Sequence, residues 1–388
     1  MILGINALGT RGGGCETVLR SLLDGISEST ACRRLISRIV VFVLPRKSYR
    51  FDYPCSRDLE IVECPPVTDN AISRYGWLRT VSSRFFGAHG CDVLLNMSGV
   101  AGRANLPQVM MLQNSLYFCP EAIATYRRRG VPWRLRARNV VEVPLARSFF
   151  RRTCRDASRI IVQSEVMKTW VERDVVTTRG RVHVVRPAIP DLTDAVEPAA
   201  EPPAAMRASR GRRLLYIGND QPYKNLAVLF AAASLALKHH RDWTFFLTLP
   251  APPRDVSPNV VFLGALGRPQ VGAALREADA LVMPSLVETV GLPMVESLSL
   301  GTPVIAADRP YAREFCGNAA EYFDPHDAGS LCAAIDRIAV RDGAGGRRPL
   351  AMPPLPRPIV FAEEMVGHCL GAAGVRLPAS AAVHGRAA

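Results

Sequence analysis

Two carboxylates eight positions apart, Glu288 and Glu296, lie in the stretch that most constrains the fold of this chain. An apolar run, Ala280-Leu281-Val282-Met283-Pro284-Ser285, precedes them and reads as a buried strand. A short loop with Gly291 and Pro293 follows. The spacing then predicts a helix over Pro293–Leu300, a Gly301-Thr302-Pro303 turn, and a second strand starting at Val304. Strand, loop, helix, turn, strand is the unit of a parallel α/β sheet, in which ligands collect outside the carboxyl ends of the strands. The helix N-terminus there offers unpaired N–H groups and a partial positive charge that suit a phosphate. Glu288 is expected to face that opening. Glu296, about two turns on along the same side, is placed to accept hydrogen bonds from a polyhydroxylated ligand. Spacing alone does not make this a site, because carboxylates favour the first turn of any helix.

The surrounding pattern says more. The run from Phe262-Leu263-Gly264 through Leu281-Val282-Met283-Pro284-Ser285, Glu288, Gly291, Glu296, Gly301-Thr302-Pro303 and Asn318–Pro325 resembles the donor-binding half of the retaining glycosyltransferases of family 4. In that family the two glutamates form an E-x7-E motif, and the match extends over about residues 213–338. The resemblance implies an α/β chain of the GT-B class, with two doubly wound Rossmann-like domains facing a central cleft. It also implies a nucleotide-sugar donor (UDP- or GDP-sugar), no cofactor beyond that substrate, and no need for a divalent metal.

Carried over residue by residue, Lys224 matches the lysine that binds the donor diphosphate, and Glu288 the carboxylate that orients the sugar hydroxyls. Val290 and Gly291 offer backbone N–H groups, the helix starting near Leu292 faces the diphosphate, and Glu296 binds the ribose. Gly264, Pro284 and Ser285 match the loops around the nucleotide base. Asn219 stands where many members carry an arginine, which thins the cationic clamp; Arg11 and Arg186 are the candidates to supplement it.

At 388 residues the chain is too long for one ordinary core and suits two domains. The reading places an acceptor-side domain over 1–190, a linker rich in Pro, Ala and Glu over 191–210, and the donor-binding domain over 211–374. A tail over 375–388 is expected to pack back on the first domain. No apolar run approaches the ~20 residues that cross a bilayer, and Met1–Gly9 reads as a first strand instead of a leader. The expected setting is cytoplasmic, with peripheral contact at the inner membrane. Ten cysteines without a C-x-x-C pair or zinc-like histidine spacing give no metal site.

The first half carries a weaker signal. A strand over residues 2–8, then Gly12-Gly13-Gly14, then apolar positions at helical spacing (Val18, Leu19, Leu22, Leu23) form a layout that can hold an anion on backbone N–H groups. The glycines do not fit G-x-G-x-x-G; Gly13 and Gly14 resemble the N-terminal glycine loop of GT-B enzymes. The predicted strand Val109–Leu112 ends at Gln113 and Asn114, where many family members carry a histidine. Both amides can donate to sugar or phosphate, and neither is a base at neutral pH. The group that activates the acceptor therefore stays unassigned.

The charge is uneven. Residues 1–200 hold 29 Lys+Arg against 18 Asp+Glu, leaving 48 − 29 = 19 against 35 − 18 = 17 in the remainder. From Thr125 to Arg159 there are eleven Arg against Glu142 and Asp156, with Leu135, Val140, Leu145, Phe149 and Phe150 interleaved. Segment 127–159 reads either as a basic amphipathic helix for an anionic membrane surface or as a solvated helix face. Nucleic acid is disfavoured, since no helix-turn-helix, RNP or zinc-finger pattern accompanies it.

The combined expectation is a retaining, metal-independent hexosyltransferase acting on a glycan or lipid-linked saccharide in bacterial surface-polysaccharide synthesis. A nucleotide-sugar 2-epimerase-like isomerase and a non-catalytic sugar-binding paralogue remain as alternatives.

Overall fold

A computed structural model of the chain describes residues 1–10, 13–45, 47, 51–68, 71–97, 99, 102, 105–128, 131–188, 200–251, 256–342 and 355–375. The chain divides into two compact units. The first comprises Met1–Phe118, Val141–Pro190 and Leu355–Ala388; the second comprises Cys119–Val140 and Asp191–Pro354.

The first unit is built on a seven-stranded parallel sheet: β1 (Ile2–Asn6), β2 (Arg38–Val43), β3 (Leu59–Glu63), β4 (Val93–Asn96), β5 (Gln108–Leu112), β6 (Arg159–Val162) and β7 (Val182–Val184). Its order is β3-β2-β1-β4-β5-β6-β7. The second unit is built on a six-stranded parallel sheet: β8 (Arg212–Tyr216), β9 (Trp243–Leu247), β10 (Val260–Phe262), β11 (Ala280–Met283), β12 (Val304–Ala307) and β13 (Ala320–Phe323), in the order β10-β9-β8-β11-β12-β13. Both are Rossmann-like, as the alternation of apolar runs and helical periods predicts.

The strands read as continuous hydrophobic runs because both faces of each sheet are covered. Successive side chains of a strand point to opposite faces. Leu214 and Tyr216 accordingly join one core with Phe245, Leu247 and Val282, while Leu215 joins the other with Phe246, Leu281 and Met283. The first unit divides in the same way: Val41 and Val43 pack with Leu3 and Ile5, and Val40 and Phe42 with Leu94.

The structure corrects two expected boundaries. The helix Pro358–Ala372, assigned from sequence to the 211–374 domain, belongs to the first unit. Phe361, Ala362, Met365, Val366 and Cys369 are buried with Leu3, Ile5, Leu19 and Leu22. The helix Gly13–Glu28 approaches it so closely that a Cβ on Gly25 would lie 2.1 Å from the Pro358 carbonyl oxygen; glycine is the residue that allows this. The Ser29 hydroxyl donates to Glu363 at 2.6 Å and ties the same pair together. In the other direction, Cys119–Val140, expected in the 1–190 domain, groups with the second unit.

Part of the expected linker is ordered. Ala204–Ala208 is helical, and Met206 is buried in the core of the second unit. Positions 191–199 and the tail 376–388 lie outside the described residues, as does Arg11.

The basic segment forms one helix, Trp133–Asp156. Its C-terminal half faces protein: Phe150 and Cys154 are buried with Met110 and Ile160, and Phe149 stacks on Tyr75 at 3.5 Å. Arg147 and Arg151 both clasp Asp174. Trp133 and Leu145 are exposed, at 72% and 41%. Among the described residues, no helix is long and apolar enough to cross a membrane.

Candidate active site

In the second sheet the strand order reverses between β8 and β11, which pair in parallel through Ala280 with Leu214 and Leu281 with Leu215. Crossover connections leave in opposite directions from these two strands, so a crevice opens beyond their carboxyl ends. The loops that follow them carry Lys224 and Glu288.

After β8, the Tyr216 hydroxyl donates to the Asn219 carbonyl at 2.6 Å, and the Asn219 side-chain oxygen accepts from the Gln221 N–H at 3.2 Å. A single 3-10 turn, Pro222–Lys224, then runs into Asn225, which holds a left-handed conformation at φ 55°. Asparagine tolerates that conformation better than most residues. Its side-chain amide donates to the Pro325 carbonyl at 2.7 Å. The helix Leu226–Lys238 follows. Across the switch point, the Leu286 N–H donates to the Tyr223 carbonyl at 2.9 Å and joins the two loops.

The Lys224 ammonium donates to Glu288 Oε1 at 2.6 Å, with 10% and 14% of the respective side chains exposed. Burial to that degree makes the pair stronger than a surface ion pair, and makes it costly to remove one member alone. Two buried phenols flank the carboxylate. Burial, and then the Glu288 charge, push the pKa of both Tyr216 and Tyr311 well up. Tyr311 donates to the Ser285 carbonyl at 2.8 Å, and the Ser285 hydroxyl is buried without a described partner.

Gly291 caps the next helix, Leu292–Ser299, at φ 78°, a region that only glycine enters freely. Val290, just before it, is buried. Glu296 lies in the second turn, 9% exposed. Burial raises its carboxyl above the usual range, and Arg268, 3.9 Å away, opposes the shift. Arg268 opens the helix that follows Gly264, so the loop after β10 reaches the same helix. Gly264 itself has φ 72°, and its N–H donates to Leu249.

Lys224, Glu288, Asn219, Gly264, Pro284, Ser285, Val290, Gly291 and Leu292 therefore all stand on loops or helix starts after β8, β10 and β11, with Glu296 one turn further into the last of these helices. Gly13, Gly14, Gln113 and Asn114 stand in the first unit. Gly13 starts its helix at φ 58°, Asn114 accepts from the Leu116 N–H at 3.0 Å, and Gln113 contacts the Met111 sulfur at 3.6 Å.

The sequence assigns Lys224 to the diphosphate and Glu288 to the sugar within one site, and the structure sets the two side chains against each other. Sequence reasoning missed Tyr216, Tyr223 and Tyr311: Tyr216 sits in an apolar run and reads as core, and the other two sit in polar loop sequence that gives no sign of burial or of the site.

It missed a second cluster beside the first. The helix Pro120–Thr125 brings Glu121 to Arg309, which donates to it at 2.6 Å, and to His326, whose Nε2 lies 2.7 Å away. Tyr126 donates to the Gln221 side chain at 2.9 Å. His326 is half exposed in this cluster. Nothing local in the sequence relates residues 188 and 205 positions apart. Among the described residues, no group of three or more His, Cys, Asp or Glu is arranged to hold a metal ion.

Comparison with known proteins places this geometry. Residues 211–340 match the family model described as Glycosyl transferases group 1. The phosphatidyl-myo-inositol mannosyltransferase of Mycolicibacterium smegmatis is 28% identical over 165 residues, 40% of this chain and 43% of that protein. The O-antigen chain mannosyltransferase RfbU of Salmonella typhimurium is 34% identical over 97 residues, 25% of this chain and 28% of that one. The chain thus spans less than half the length of either relative. Sucrose-phosphate synthase of Thermosynechococcus elongatus shares the fold at a TM-score of 0.65 and 16% identity, over 96% of each chain. The stretch that holds Lys224, Glu288 and Glu296 is the one that matches the group 1 glycosyl transferases, and the fold of the chain is GT-B.

Proposed function

We propose that the protein is a glycosyltransferase that moves a hexose from a nucleotide-diphosphate sugar to a hydroxyl of a saccharide or lipid-linked acceptor. One observation carries the reading: the Lys224–Glu288 pair stands where the strand order of the second sheet reverses, inside the stretch that matches the group 1 glycosyl transferases. Both named relatives are mannosyltransferases, which puts mannosyl donors first among the hexoses to test.

Sugar transfer needs charge stabilisation on the departing diphosphate and a held, oxocarbenium-like sugar. An ammonium has three donors, so Lys224 can keep Glu288 and still bind a phosphate oxygen. The N-terminus of the Leu292 helix adds N–H groups for the same charge. Glu288 then faces the sugar hydroxyls, with Val290 and Gly291 contributing backbone N–H groups, and Glu296 binds the ribose. Asn219, Gly264, Pro284 and Ser285 line the nucleotide side. Gly13 and Gly14 are proposed to approach the diphosphate, and Gln113 and Asn114 the acceptor. With both carboxylates engaged in binding, no side chain is assigned as a covalent nucleophile. Retention at the anomeric carbon and metal independence are proposed on the E-x7-E pattern.

Surface-polysaccharide synthesis is the proposed setting, since one relative is an O-antigen chain enzyme. Peripheral contact with an anionic membrane is proposed through segment 127–159, on its arginines and the exposed Trp133 and Leu145. Sedimentation with anionic vesicles tests the contact, and protein left wholly in the supernatant at low salt removes it.

The decisive assay incubates the protein with UDP- and GDP-hexoses, with and without a lipid-linked saccharide. Acceptor-dependent release of nucleoside diphosphate is the expected result. Interconversion of the donor sugar would make the protein an isomerase, and donor binding without turnover would make it a non-catalytic sugar-binding protein.

A further inference from the structure

The Asn219–Asn225 loop, which carries Lys224, is held at several points, and two of them lead away from the site to the same place. The Asn225 side chain donates to the Pro325 carbonyl at 2.7 Å, and the next residue, His326, lies 2.7 Å from Glu121. Glu121 also accepts from Arg309 at 2.6 Å, while Arg309 lies 3.2 Å from His326. From the same chain segment, Tyr126 donates to Gln221 at 2.9 Å, three residues before Lys224. The segment Cys119–Val140 leaves the strand order of the first sheet and lies within the second unit, although it enters the sequence ahead of β6. Its phenol therefore reaches the lysine loop directly, at Gln221, and its acidic residue reaches it through His326 and the adjoining Pro325 carbonyl.

We propose that Glu121 is a positioning residue for Lys224: with Arg309 and His326 it anchors the Pro120–Thr125 helix against the Asn219–Asn225 loop, and so fixes where the ammonium meets a diphosphate. The anchor acts through backbone placement and touches no substrate. Carboxylate–guanidinium contacts are directional and charge-assisted, so glutamine, which keeps an acceptor oxygen at the same reach, retains part of the tie and a methyl group retains none. As regards the diphosphate, the inference rests on the glycosyl-donor reading; as regards the loop, it does not.

Two measurements on the full chain separate these. Hydrogen exchange of the Tyr223–Leu226 amides is expected to quicken about tenfold in Glu121→Ala, the scale of a coupling through a packed network, and to return part of the way to the wild-type rate in Glu121→Gln. Unchanged exchange in Glu121→Ala overturns the proposal whatever the protein binds. In calorimetry with UDP, GDP and the parent nucleosides, Glu121→Ala is expected to lower diphosphate affinity about tenfold, to leave nucleoside affinity alone, and to add nothing in a Lys224→Ala background. Equal loss for diphosphate and nucleoside, or additive losses, would mark a general structural role and overturn it. A wild type that binds neither diphosphate, with quickened exchange in the variant, would remove the donor reading and keep the anchor.

Discussion

Lys224 and Glu288 are 64 residues apart in the chain and 2.6 Å apart in space, because β8 and β11 are neighbours in the sheet and each sends its following loop to the same edge. Both side chains are largely buried, so removing one partner strands the charge of the other, while the remaining lysine protons stay available for chemistry.

Removing either member should show both contributions. Glu288→Gln is expected to lower transfer by at least about a hundredfold, the scale of a lost transition-state donor or acceptor. It should also cost about 1–3 kcal/mol of stability, because a buried ammonium loses its counter-charge. Urea unfolding beside initial-rate assays reads the two effects. Lys224→Ala should weaken nucleoside diphosphate binding by about 1.5–3 kcal/mol. The double variant should be less damaged than the sum of the two, since the residues touch; strict additivity would mean that the pair is not coupled in solution.

Glu296 gives a pH signature. Burial holds its carboxyl above the ordinary value of 4.5, so the folded protein binds its proton more tightly than the unfolded chain does. Stability from this group is complete below about the unfolded pKa and is lost as pH rises through the folded one. Glu296→Gln removes that loss. Melting temperature should then rise relative to wild type at neutral pH, with the gain vanishing near pH 4, while nucleotide affinity falls through the lost ribose contact. A melting difference that grows toward acid pH would contradict this sign.

Gly291 sets the entry to the Glu296 helix. At φ 78° an alanine is strained by about 1–2 kcal/mol. Its Cβ would also come within 2.5 Å of the Met294 methyl, which is a flexible end that can move. Gly291→Ala is expected to destabilise by about that amount and to lower donor affinity by shifting the N–H groups at the helix start. An unchanged urea midpoint would show that the loop relaxes freely.

The helix Pro358–Ala372 makes the two units separable by experiment. Phe361 is fully buried among Leu3, Ile5 and Leu19, so Phe361→Ala should cost about 3–5 kcal/mol. The loss should fall on the first unit: amides of β1 and β2 exchange faster, while those of β8 and β11 keep their protection. Equal loss in both sheets would mean that the chain unfolds as one block.

The assay for metal dependence is simple. Activity measured after exhaustive chelation is expected to equal that of untreated protein, since Lys224 and backbone N–H groups are proposed to meet the diphosphate charge. Loss restored by a divalent cation would reverse that proposal.

Much was legible in the amino-acid order. Apolar runs separated by helical periods determine strands and helices wherever burial is two-sided, and the strands read at residues 2–8 and Val109–Leu112 fall at β1 and β5. Ser164 shows the same local logic: its hydroxyl accepts from the Met167 N–H and caps the helix Glu165–Asp174, because helix caps are settled within four residues. Gly291, the cap of the Leu292–Ser299 helix, was legible for that reason too. Tertiary structure alone decided which strands are neighbours, and with that the pairing of Lys224 with Glu288. It sent the helix Pro358–Ala372 home to the first unit, where Gly25 of the Gly13–Glu28 helix leaves room for it, and it carried Glu121 to Arg309 and His326. Burial and charge pairing between distant segments depend on sheet order, and sheet order leaves no mark on the residues within a few positions of any one of them.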